Sequence, residues 1–240
     1  MANKIKNKQK KQENAGLEVQ LTKAEAFFEK NGKILIGIFI AIIVIAMCIW
    51  GFKKCKASEE EDAQNAISLC QQDFANQDFE KALKGDGARS KGFAKIINEY
   101  SGTKTSNLAR LYAAICVLQN DTTLSKKSFD EAISYLKEYK SQDDNTVSAA
   151  AIGMLGNCLV SNGDKQGGAE KLIEAAKKAD NESLSPLFLF QAGEIYEDLK
   201  QPEKALELYN QIKNDYPQSS MSTGNDPMLN IDSYIEKLKK

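Results

Sequence analysis

From Ile34 to Phe52 the chain carries no charged residue, and twelve of those nineteen positions are Ile, Leu, Val or Phe. At about 1.5 Å per residue a helix of that length covers roughly 28 Å, close to the roughly 30 Å of a bilayer's hydrocarbon core. The run is bordered by Lys33 and Lys53 and predicts a single transmembrane helix over 34–52, with Trp50 and Phe52 at its interfacial end. A cleaved signal peptide fits less well, since thirty-three residues precede the run and it outlasts the roughly 7 to 15 residues of an h-region. Upstream, Leu17, Leu21, Ala24 and Phe28 recur at helical spacing among Glu18, Lys23, Glu25 and Lys30, which predicts a short amphipathic helix within the 1–33 tail. Gly37 and Ala41 form a small-xxx-small pair that would let two spans pack as a homodimer.

Beyond residue 57 the pattern turns to narrow apolar stripes at helical spacing, interrupted by turn residues. Pro186 to Ser219 reads as a thirty-four-residue helical hairpin with Leu189, Gly193, Tyr196, Ala205, Tyr209, Ile212 and Pro217 at fixed offsets. Small Gly193 and Ala205 would let two helices approach, large Leu189, Tyr196 and Tyr209 would fill the space beside them, and Pro217 would stop the second helix. This spacing resembles a tetratricopeptide repeat (TPR). Upstream copies run over 149–182 (Ile152, Gly156, Leu159, Gly168, Leu172, Ala175), with the turn Asn162-Gly163-Asp164, and over 107–140, with a long turn at Asn120 to Ser128. A degenerate first copy pairs Ala63, Ala66, Ile67, Leu69 and Cys70 with Phe93, Ile96, Ile97 and Tyr100 around a Gly-rich insertion at Gly85 to Gly92. The fold expected is all-α: a right-handed TPR-type solenoid of about four hairpins over 57–225, following the single span, with a capping helix in 226–240.

The resemblance implies a concave groove lined by the first helix of each hairpin. Its positions fall on Leu108, Leu111, Ile115, Leu118 and Gln119 in the second repeat, and on Ala150, Gly153, Asn157, Val160 and Ser161 in the third. In the last repeat they are Leu187, Phe190, Glu194, Glu197 and Asp198. That surface grades from apolar to acidic and would suit an apolar or basic extended segment of another protein. It lacks the Lys and Asn side chains with which cochaperone TPR proteins clamp a C-terminal carboxylate.

Charge divides the chain at the same place as the pattern. Residues 1–56 hold eleven Lys and four acids, and residues 57–240 hold twenty-one Lys and Arg against twenty-nine acids. Eight lysines precede the span and three follow it directly, which predicts a cytoplasmic N-terminus in the inner membrane and a periplasmic solenoid. The lysines of the first eleven residues read as a topology-enforcing tail rather than an RNA-binding one, so no nucleic-acid partner is expected.

Candidate chemistry is sparse. There is no histidine, which removes the commonest general base and zinc ligand. Gly85-Asp86-Gly87-Ala88-Arg89-Ser90 ends in Ser where a dinucleotide-binding turn needs Gly, and Gly102-Thr103-Lys104-Thr105 lacks the rest of a phosphate loop. The acids Glu59 to Asp62 and Asp143-Asp144 read as solvated helix-start charge. Of five cysteines none forms a C-x-x-C pair, and Cys70, Cys116 and Cys158 fall on apolar faces as free thiols. Neither Cys48, after Met47, nor Cys55, after Lys54, suits lipid attachment. No enzyme, metal or cofactor is expected.

The order of parts, with Phe27-Phe28-Glu29-Lys30-Asn31-Gly32-Lys33 leading into the span and Asn162-Gly163-Asp164-Lys165-Gln166-Gly167 in a solenoid turn, resembles the ancillary SecYEG translocon subunit family of membrane-anchored TPR proteins. The resemblance is firm at that entry segment and over 149–219. It implies a non-catalytic scaffold beside the translocon, whose partners are translocon subunits, periplasmic chaperones or unfolded exported chains. The alternative is an envelope organiser that links outer-membrane assembly or cell-wall machinery to the inner membrane.

Overall fold

The computed structural model describes the backbone of residues 2–224 and 230–239, and side chains at 31, 40–224 and 230–239. All its described elements are α-helices: α1 (Ala2–Ala75), α2 (Phe79–Lys84), α3 (Phe93–Glu99), α4 (Lys104–Asn120), α5 (Lys126–Lys137), α6 (Asn145–Ser161), α7 (Lys165–Ala179), α8 (Ser185–Asp198), α9 (Pro202–Asp215), α10 (Ser220–Thr223) and α11 (Ile231–Leu238). Two compact units divide the chain, one over Met1–Ser58 and one over Glu59–Lys240.

In the first unit, Ile40, Ile42, Ile43, Val44, Ile45, Met47, Ile49, Trp50 and Phe52 are exposed on α1. The Nζ of Lys54 lies 5.4 Å from the Trp50 ring centroid, a cation–π contact. Among the described residues no helix is long and apolar enough to cross a membrane. The expected span begins in 34–39, outside the described side chains, as do Leu17, Leu21, Ala24 and Phe28 of the expected amphipathic helix.

The second unit opens on the end of α1. Ile67 and Cys70 bury against Phe93, Ile96 and Ile97 of α3, and α2 is an additional short helix just before the Gly-rich insertion. Rings fill this core: Phe74 stands edge-on to Phe79 and Tyr112, and Phe93 stacks on Tyr112 at 5.0 Å. The Gly-rich loop closes on itself, because a Cβ at Gly85 or Gly92, both at positive φ, would come within 2.4 Å of the opposite backbone. Inside it the Asp86 carboxylate accepts the N–H groups of Ala88, Arg89 and Ser90. They hold its pKa well below the usual carboxylate range. Arg89 then reaches the buried Asp73 carboxylate at 2.7 Å.

Glu59 to Asp62 was expected to be solvated helix-start charge, and Glu60 is not. It lies within α1 and accepts the Lys104 and Thr105 N–H groups and the Thr105 hydroxyl, capping α4 from another helix. Asp144 does match the expectation, accepting Val147 N–H as the N-cap of α6. That cap starts α6 at Asn145, four residues before the expected repeat.

The hairpins α4/α5, α6/α7 and α8/α9 follow in order, each packed on the next. Asn107 clamps the first of them, donating to the Lys140 carbonyl and accepting the Lys140 N–H. Its long turn hangs on Asp121, which accepts Thr123 N–H and hydroxyl and Ser125 N–H and hydroxyl. In α6/α7 the backbones nearly touch, since a Cβ at Gly156 would lie 2.9 Å from the Gly168 carbonyl oxygen. Gly163, at φ +99, makes the turn between them. In α8/α9 the Tyr209 ring takes the space over Gly193, and Leu189, Tyr196, Ala205 and Ile212 complete the core as the repeat spacing required. α11 closes this end with Ile231 and Ile235 buried and Tyr234 against Phe190 and Tyr209.

Candidate peptide-binding groove

On the first helices the expected groove positions separate into open and covered ones. Position 2 of each hairpin is accessible: Leu108 is half-buried, Ala150 exposed, and Leu187 is 41% exposed. Ile115, Asn157 and Glu194 follow two turns on, half-buried in the first case and exposed in the others. Gln119, Ser161 and Asp198 form a third, exposed row. Val160 is half-buried between the last two rows.

The covered positions correct the sequence reading. Phe190 is only 6% exposed, with its ring 4.8 Å from that of Tyr234 on α11. The capping helix roofs the place where a further repeat would stack, so Phe190 is core. Gly153 is likewise covered, by the Phe188 ring of the next hairpin. Leu111 and Leu118 are half-buried and pack against the first core, so they offer the groove only part of their surface.

The acidic end is also less free than its sequence implied. Asp198 pairs with Lys165, and Glu197 accepts from the Tyr209 hydroxyl and from Lys237 of α11, each at 2.8 Å. Burial pushes the Glu197 carboxyl up, but the bonds from Lys237 and Tyr209 outweigh it and hold the pKa low. Glu194 behaves oppositely. Burial first and the Glu197 charge second raise its pKa, and among the described residues it has no ion-pair partner. The open surface therefore runs from Leu108 and Ile115, across the small residues Ala150, Asn157 and Ser161, to Leu187 and Glu194.

A cleft of about 240 Å³ adjoins Leu108, walled by Tyr139 and Val147 with Lys104, Asp143 and Asp144 around it. The sequence reading missed Tyr139 and Val147 as surface-forming residues. The signal was present in Asp144, whose N-cap role moves the start of α6 back and puts Val147 in its first turn. Lys237, which reaches Glu197 across forty residues, carried no local signal. Cys116 and Cys158 are buried, and burial raises their thiol pKa values to about 12 and about 11. Among the described residues no three His, Cys, Asp or Glu side chains converge to hold a metal ion.

Stacked helical hairpins with an open first-helix face define a repeat scaffold for protein–protein interaction. A family model described as a tetratricopeptide repeat-like domain matches residues 25–152, more than half of the chain, and a tetratricopeptide repeat model matches 188–219. The chain belongs to the tetratricopeptide repeat-like domain family. Among curated proteins none matches it. Repeat families of this kind are generally non-catalytic scaffolds.

Proposed function

We propose that the protein is a single-pass membrane-anchored scaffold. Its groove holds extended apolar or basic segments of other proteins beside the protein translocon, either exported chains or the chaperones that receive them. The observation that carries the anchor is the set of nine exposed large apolar side chains between Ile40 and Phe52 on one helix. Leaving them in water forfeits about 25 cal/mol for each Å² of apolar surface that a bilayer would cover. The lysine asymmetry supports a cytoplasmic N-terminus and a periplasmic solenoid in the inner membrane. The entry segment before Ile34 and the repeats over 149–219 support the translocon as its setting.

The test is photocrosslinking in cells from Ile115, Leu187 and Glu194, the groove positions that remain open, in the full chain. Translocon subunits, periplasmic chaperones or newly exported chains are expected at these positions. Recovery of cell-wall or outer-membrane assembly proteins alone would replace the translocon reading with that of an envelope organiser. A topology reporter after Lys240 that is active only in the cytoplasm would overturn the orientation.

A further inference from the structure

Two open groove positions of opposite chemistry share one face of α8. Leu187 is 41% exposed in its first turn, and Glu194 is exposed seven residues on. Seven residues are two helical turns less about 20°, so both side chains leave the helix in nearly one direction, about 10.5 Å apart along its axis. Gln191, between them, is half-buried and uncharged. The preceding first helix, α6, adds only the small uncharged Ala150, Asn157 and Ser161 to the exposed rows. In this part of the groove α8 therefore supplies both the large apolar contact and the charge.

The charges around Glu194 come from α8 and α11. Glu197 lies one turn on, and both of its oxygens are engaged at 2.8 Å, one by the Tyr209 hydroxyl of α9 and one by the Lys237 ammonium of α11. The Lys237 charge also acts on Glu194 and draws its pKa down, but burial and the Glu197 charge raise it by more. Two carboxylates thus share one ammonium. Further along the helix Asp198 is matched by Lys165, and the Lys200 charge acts on Asp198. The cluster of Glu194, Glu197 and Lys237 is left with one carboxylate in excess, at the exposed member of the pair, which an incoming cation would complement.

We propose that the groove reads its segment at two points, an apolar side chain against Leu187 and a Lys or Arg against Glu194, three residues apart in a polyproline-II-like extended chain. This deepens the groove reading above and rests on it. The spacing follows from the geometry of extended chains. In polyproline II, residues three apart lie on the same face about 9.3 Å from one another, close to the interval between Leu187 and Glu194. A flat strand repeats its face every second residue and would offer about 6.6 or 13 Å, neither of which fits as well. Polyproline II is also a major conformer of unfolded chains, the state of the exported segments that the groove is proposed to hold.

A contact resting on two side chains is weak, so the experiment follows the methyl resonances of Leu187 in the full chain in nanodiscs, which register weak binding. Ser-, Gln- and Pro-containing peptides with one Leu and one Arg, separated by two, three, four or seven residues in either order, are titrated in turn. The tightest binding is expected at a separation of three. It should weaken about tenfold when the Arg is replaced by Gln, and equally in Glu194→Gln, whose exposed site leaves the unfolding midpoint unchanged. Glu194→Lys should reverse the preference, favouring the peptide with Glu in place of Arg. Affinity indifferent to spacing, binding unaltered in Glu194→Gln, tightest binding at seven (the interval of a helix), or no shift with any peptide would each overturn the proposal. Photocrosslinking in cells from Glu194 reads the groove separately. Partners captured there alongside peptides indifferent to spacing would leave the groove and remove the two-point reading, whereas neither capture nor shift would remove both.

Discussion

The front and back of the repeat unit solve the same packing problem with different materials. From Glu59 to Lys137 the helices are spaced by rings, with Phe74, Phe79, Phe93 and Tyr112 meeting at 5.0 to 6.4 Å, and are tied by polar clamps from Glu60, Asp73 and Asn107. From Asn145 to Asp215 the helices approach until backbone meets backbone, at Gly156 and Gly168, or until a tyrosine ring lies on a bare Cα at Gly193. Space filled by rings can be filled by many combinations, but only glycine permits the closest approach. The back half therefore obeys a strict residue spacing and the front half does not.

The largest effect expected is at the front. Phe93 is wholly buried and stacked on Tyr112, so Phe93→Ala should cost about 3–5 kcal/mol through lost burial and the cavity it leaves. Denaturant unfolding of the full chain should show it as a lowered midpoint. A loss under about 1 kcal/mol would mean that the ring cluster collapses freely and is not what spaces the front helices.

At the back, adding one methyl group should do the next largest damage. A Cβ at residue 168 would lie 2.3 Å from Val160 Cγ2 and 2.7 Å from the Gly156 carbonyl oxygen, and the backbone cannot turn aside. Gly168→Ala should therefore cost about 1–3 kcal/mol by overpacking. Gly153→Ala sharpens the contrast, since the three nearest atoms to its new methyl group all belong to the half-buried Phe188 ring, a side chain rather than backbone. Equal losses in the two variants would show that backbone contact is not the source of the strict spacing.

These differences explain what could be read from sequence. The hairpin over 186–219 was legible because Gly193, Ala205 and Pro217 each answer a steric demand that few other residues meet. The buried free thiols at Cys70, Cys116 and Cys158 were legible from the faces they occupy. The short helix α2 was not, because Phe79 to Lys84 is too short to show a helical period and folds against α4 through Leu83. Nor was the capping of α4 by Glu60, whose partners lie more than forty residues away. The groove was half legible. Repeat register placed Leu187 and Phe190 on the same helix face, but only the seating of α11 reveals that one is open and the other roofed.

Glu60 offers a smaller perturbation with a pH signature. Burial opposes its ionisation, but the Thr105 hydroxyl and the N–H groups of Lys104 and Thr105 outweigh that and hold the carboxyl below its ordinary pKa. A carboxyl depressed on folding contributes stability above its unfolded pKa of about 4.3, and that contribution disappears as pH falls through the lower folded value. Glu60→Gln should cost about 1 kcal/mol at neutral pH, as loss of a helix cap does. It should also flatten the acid limb of the stability profile below about pH 4.5. An acid limb as steep as that of the wild type would assign the dependence to other carboxylates such as Asp86 and Asp121, whose pKa values are also depressed.

Leu187 and Phe190 close the comparison at the smallest cost in stability. Leu187 is 41% exposed at the first turn of α8, whereas Phe190 lies one turn on beneath Tyr234. Leu187→Glu should change stability by no more than about 0.5 kcal/mol, as surface substitutions do. Beside Glu194 it should weaken capture of apolar segments and leave unfolding unchanged. Phe190→Glu should instead loosen the cap and lower the unfolding midpoint, because it places a carboxylate among Tyr209, Tyr234 and Ile235 without a partner. Partner recovery and unfolding midpoint together separate the two. If Leu187→Glu retains full capture, the open row is not the binding surface. If Phe190→Glu unfolds like the wild type, α11 does not seal the end of the solenoid, and the covered position returns to the groove.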